Sequence, residues 1–292
     1  MRGTERVSRI RTRREFLLST AAVFVSPLLI NGSSLPQGVF IHDGFGDLER
    51  ELIAESIRSV SAKYDLRGLQ VDFINGKGLG RSFYGAAYHN LGFVPQITHT
   101  EAGMFARQRA LEAREDFIGL FGHEMFLRHA GRNVVALKDA ETLREEYPAD
   151  SLVVCSLYVR KSSPELWYKL VAIHELAHVL FAGAGPAACY GLLKVIQRAN
   201  QPLMSAGFRT VDSFDPGFNQ GHPGHVDCYT FNRFLTLDNS RQSASEDFAQ
   251  ILAFHLLDLP MSHRDEILIT KFAVVRTFMD SYYGAGTGSP AN

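Results

Sequence analysis

From residue 35 onward, apolar positions first recur at helical spacing. Leu48, Leu52, Ile53, Ile57 and Val60 share one stripe, which predicts a helix from Asp47 to about Tyr64. Leu69 to Ile74 (LQVDFI) alternates apolar and polar as a strand does, and the Gly-rich turn NGKGLG follows. Helical spacing returns from Met104 to Phe121. NVVALK (133–138) and SLVVCSLYVR (151–160) then read as strands, separated by a short charged helix around Ala140 to Glu146. The next helix has a clear start, with Ser163 as N-cap, Pro164 in the first turn and Glu165 at the positive end of the dipole. Gly183, Gly185 and Pro186 stop it. The Gly/Pro/Asn-rich region from Gln201 to Asp227 reads as a long loop. Helices over about Ser245–Asp258 and Ser262–Tyr282 close the pattern. The tail GAGTGSPAN (284–292) is expected to be frayed. This mixture predicts an α+β fold with a small sheet beside the helix that opens at Pro164.

That helix raises a chemical question. YKLVAIHELAHVLFAGAG (168–185) is apolar throughout except for three ionisable groups, His174, Glu175 and His178, and Lys169 near its start. Residues four apart lie on one face of a helix, so His174 and His178 can offer two imidazole nitrogens to one metal ion. Glu175 stands beside the first, suited to act as general base on a water held by the metal. A buried glutamate with neither metal nor partner would be costly. One zinc ion per chain is the expected cofactor.

The beginning of the chain decides the compartment. RTRREFLLSTAAVFVSPLLI (11–30) carries twin arginines, Arg13 and Arg14, before an apolar stretch too short for a membrane span, which needs roughly 20 residues. It reads as an export signal over residues 1–34, of the twin-arginine type that engages its own export machinery. The expected location is periplasmic or secreted, with no membrane span once the signal is removed. Residues 1–34 hold six arginines and two glutamates, so removing them shifts the formal charge from −1 to −5. No basic stripe remains for nucleic acid. Residues 35–283 are expected to form one domain with two lobes, about 35–160 and 161–283. Cys155, Cys189 and Cys228 are too scattered for a cysteine-type zinc site, though one pair has the chance to oxidise after export.

A catalytic zinc site needs a third protein ligand and an open position. The pattern H-E-x-x-H-x-x-G-x-x-H is excluded, because Phe181 and Ala184 stand where the glycine and third histidine would be. Glu246 in SASEDFAQILAF (243–254) is the favoured candidate, on a helix whose apolar face carries Phe248, Ile251, Leu252 and Phe254. A competing explanation makes Glu246 the distal half of a capping box with Ser243. His222 and His225 in GHPGHVDCY are rival ligands or transition-state stabilisers, with Asp227 and Tyr229 as further cleft candidates. GHEMFLRH (122–129) spaces its histidines off one helical face, and INGKGLG (74–80) lacks the spacing of a phosphate loop; both read as structural.

H-E-L-A-H followed downstream by E-D-F-A on a second helix resembles the glutamate zincins, which include many bacterial zinc metallopeptidases. The catalytic domain of anthrax lethal factor has a similar E-x-F-A pattern. The resemblance spans about 90 residues, Ser163 to Phe254. It implies a zincin-like fold, zinc on His174, His178 and Glu246, and Asp247 supporting a ligand. Gln250 departs from the pattern, standing where these proteins often carry a second acidic residue. The expected function is hydrolysis of a peptide or protein substrate. The alternative is an exported binding or interaction protein with a structural zinc, for which Glu175 beside an open metal position would have no use.

Overall fold

The computed structural model describes residues 35–79, 85–96, 100–142, 164–205, 241–258 and 266–284. Some expectations lie outside the described residues: the export signal, the strand at 151–160, the loop beyond Ser205 with His222, His225, Asp227 and Tyr229, and the tail after Gly284. The chain from Leu35 onward forms one compact unit, and the expected lobe boundary near 160 lies outside the described residues.

The architecture is α+β. A short strand β1 (Val39–Ile41), helix α1 (Asp47–Ser61) and strand β2 (Val71–Asn75) make a βαβ unit in which β1 and β2 are parallel, Val39 opposite Val71. Strand β4 (Asn133–Leu137) joins β2 in parallel, and β3 (Gly85–Tyr88) runs antiparallel along β4, giving the order β1-β2-β4-β3. The inner strands are covered on both faces. Val71, Phe73, Val135 and Leu137 enter a large core with α1 and the later helices, while Ile74, Val134 and Ala136 enter a smaller one with Phe117 and Phe126. That two-sided burial explains the nearly continuous apolar run of β4.

Helix α2 (Glu101–His129) is capped by the Thr100 hydroxyl, which accepts from the Gly103 N–H at 3.1 Å. It breaks at Gly122 (φ 83°), a left-handed residue that a side chain would disfavour. Helix α3 (Pro164–Gly183) carries the two histidines, and α4 (Pro186–Ser205) follows after Gly185 in positive φ. Helices α5 (Arg241–Leu256) and α6 (Glu266–Tyr283) complete the described elements. Helix α3 is the centre of the large core. Leu170, Ile173, Leu176, Ala177 and Leu180 are all buried, and the helix packs on α1, α5, β3 and β4. No single described helix is long and apolar enough to cross a membrane.

Several features differ from the sequence expectations. Strands β1 and β3 and helix α4 have no counterpart in the pattern: β1 has three residues, and Gly85-Ala86-Ala87 in β3 lacks the β-branched signature. Gln201 to Ser205 is helical rather than loop. Leu48 is 59% exposed, not part of the buried stripe. Helix α5 begins at Arg241, two residues before Ser243.

Candidate metal centre

His174 and His178 project from one face of α3 toward α5, with ring centroids 4.9 Å apart. Their Nε2 atoms are 3.2 Å apart. Glu246, near the start of α5, brings Oε2 to 3.0 Å from His174 Nε2 and Oε1 to 3.3 Å from His178 Nε2. Two helices far apart in sequence thus place three ligand groups around one point.

The outer nitrogen of each ring is engaged as well. His174 Nδ1 donates to Gln250 Oε1 at 2.9 Å, and His178 Nδ1 lies 3.0 Å from Ser245 Oγ. A neutral imidazole carries one N–H. A neutral ring with its hydrogen at Nδ1 presents a lone pair at Nε2 toward the Glu246 carboxylate, whereas a ring carrying Nε2–H donates to that carboxylate. In the first state acceptors face acceptors at 3.0–3.3 Å, a contact that a metal ion among them relieves; in the second a proton does so. A tetrahedral zinc site with bonds of about 2.0–2.2 Å has ligand–ligand edges of about 3.3–3.6 Å, close to these separations. The donor set fits the ion.

Glu175 is on the adjoining face of α3, 8% exposed. Burial pushes its carboxyl up to about 8, opposed by His174 and reinforced by Glu246. Glu246 behaves in the other direction. Burial raises it, but His178 and His174 outweigh that and hold it well below the ordinary carboxylate range. No lysine or arginine among the described residues pairs with either acid, so the charges acting on them come from the histidines and each other.

Strand β3 shapes the space around Glu175. A Cβ at Gly85 would stand 2.6 Å from Glu175 Cγ and 3.0 Å from its Oε1, so only glycine lets the strand run this close. Asp247, expected to support a ligand, is fully buried and pairs with Lys271 of α6 at 2.8 Å. The hydrogen bonds to the ligand rings come from Ser245 and Gln250 instead. Sequence reasoning misses both as supporting residues, although their positions one before and four after Glu246 put them near it on α5. Gln250 fills the place of the expected acid and does its orienting work without a charge. Cys189 is a buried free thiol, pushed up to about 12 by burial.

Comparison with protein-family models, curated proteins and solved structures finds no match.

Proposed function

We propose that this protein is a zinc-dependent hydrolase, specifically a metallopeptidase of the glutamate-zincin type, acting in the bacterial periplasm or beyond. The observation that carries the reading is the convergence of His174 Nε2, His178 Nε2 and the Glu246 carboxylate at 3.0–3.3 Å, with a buried Glu175 alongside. His174, His178 and Glu246 would hold the ion. Zinc bound there supplies a Lewis acid that polarises a carbonyl and brings the pKa of water toward neutrality.

The remaining work belongs to side chains of the chain. Glu175 takes a proton from the attacking water on its carboxylate and returns it to the leaving amine. Burial raises the Glu175 carboxyl to about 8 without an ion, and the charge of a zinc ion beside it would lower it again toward the ionised form a base needs. Gln250 and Ser245 fix the two rings so that Nε2 rather than Nδ1 faces the centre. The apolar wall of α3 limits competing water around the reacting groups. A zincin-like arrangement is supported by the antiparallel edge strand β3 beside α3 and by a ligand arriving from a second helix.

Metal analysis of the purified protein, with casein or peptide cleavage measured before and after chelation, tests the reading. Close to one tightly held zinc per chain and chelator-sensitive cleavage are expected. Zinc without cleavage would favour the structural-zinc alternative. Export belongs to the same proposal, and lysines at Arg13 and Arg14 should block it. Normal periplasmic levels of that double variant would remove the twin-arginine assignment.

A further inference from the structure

A second cluster lies on the other side of the sheet. Asp72 of β2 points to the same face as Ile74, toward α2. His129, at the end of α2, brings Nδ1 to 2.7 Å from Asp72 Oδ2, and both residues are almost fully buried. His42, just after β1, completes the group, its backbone N–H donating to Phe73 O at 2.9 Å. The His42 and His129 rings meet edge-on with centroids 5.0 Å apart. One ligand atom from each of the three residues lies within 4.8 Å of the other two.

Arg132 caps this group from one side, its Nε 2.6 Å from the same Oδ2 that His129 meets. Asp72 Oδ1 faces His42. The His42 ring is half-exposed, yet its Nε2 is closed to solvent; it stands 3.2 Å from Oδ1 without the alignment of a hydrogen bond. A buried nitrogen in that condition calls for a partner.

We propose that His42, Asp72 and His129 form a second divalent transition-metal site, weaker and more exchangeable than the one on α3 and α5. Two imidazoles and one carboxylate select zinc, cobalt, nickel or copper over magnesium or calcium, which prefer all-oxygen ligands. Arg132 sets the affinity. It stays on Oδ2, orients the carboxylate, and opposes the incoming ion with its own charge. It also neutralises Asp72 when no ion is bound, so the fold does not depend on occupancy. Binding requires His129 to carry its hydrogen on Nε2 and His42 to present Nε2 as a lone pair.

The site is independent of the hydrolase reading and is tested by stoichiometry rather than activity. The full chain, stripped with chelator, is titrated with Co²⁺ followed by visible absorption and with Zn²⁺ followed by metal analysis. The wild type should take up a tight first equivalent and a weaker second. His42→Ala, a change at a half-exposed ring, should lose only the second, and His174→Ala only the first. Arg132→Gln should tighten the second by on the order of tenfold by removing the opposing charge. A wild type that binds no second equivalent, or a His42→Ala protein that keeps it, overturns the proposal. Either result holds whether or not Arg132→Gln folds, and whether or not any peptide is cleaved.

Discussion

The two clusters each join two histidines to one carboxylate, on opposite sides of one sheet, and they treat charge differently. At His174, His178 and Glu246, hydrogen bonds to Gln250 and Ser245 occupy the outer nitrogens and leave both inner nitrogens facing Glu246. At His42, Asp72 and His129, donors already meet Asp72 Oδ2, from Arg132 and from His129. The first has no lysine or arginine paired with it among the described residues, and a metal ion is the partner we propose for it. The second carries a cation of its own and can stand without an ion. If both proposals hold, what separates the demanding metal centre from the optional one is not the set of ligands. It is whether neighbouring donors have been aimed at the ligands or withheld from them.

The sharpest way to break this contrast is to remove a ligand from each side. His174→Ala or His178→Ala should abolish tight zinc binding and, with it, all cleavage, measured by metal analysis and peptide assay. Stoichiometric tight zinc in His174→Ala would end the assignment. Glu175→Gln comes next. The amide keeps the shape but cannot take the proton, so metal content should hold while cleavage falls about 10²–10⁴-fold.

Smaller effects sharpen the comparison. Gln250→Ala and Ser245→Ala free the outer nitrogens, and each should weaken zinc about 10–100-fold in a chelator competition, while the apo-protein melts almost unchanged. Equal zinc affinity in both variants would mean that the inward lone pairs owe nothing to α5. Substitution of Glu246 by Gln should likewise lower zinc retention, since an anionic oxygen is lost.

The least dramatic prediction concerns pH. Burial raises Asp72, but contacts from His129, Arg132 and His42 prevail and hold its carboxyl well below the ordinary range. The unfolded chain therefore takes up the proton first, near the usual carboxylate pKa of about 3.9. Stability from this group is present above that pH and is lost as pH falls toward the depressed folded value. Chelator-stripped Asp72→Asn should be less stable at neutral pH and show a shallower acid limb in thermal unfolding. An acid limb identical to wild type would show that Arg132 and His129 do not favour the charged form.

Much of the first centre is legible in the chain. Helix geometry alone places residues four apart on one face, so His174 and His178 declare a shared ligand pair wherever α3 packs. Glu246 is legible more weakly, through the apolar face of its helix and the resemblance to zincins. Ser245 and Gln250 are not, because a serine and a glutamine become informative only once the rings they touch are in place. Gly85 gives no signal either; its role depends on a strand passing within van der Waals range of Glu175.

GHEMFLRH teaches the complementary lesson. Its two histidines do not serve one ion, as their spacing indicates, yet His129 finds Asp72 across 57 residues of sequence and His42 beyond that. Local periodicity determined the helix, the imidazole pair and the glutamate beside it. Tertiary packing decided the third ligand, the donors that fix the rings, and the second cluster. Those contacts join segments whose separation along the chain carries no period, and only burial of the shared core brings them within reach.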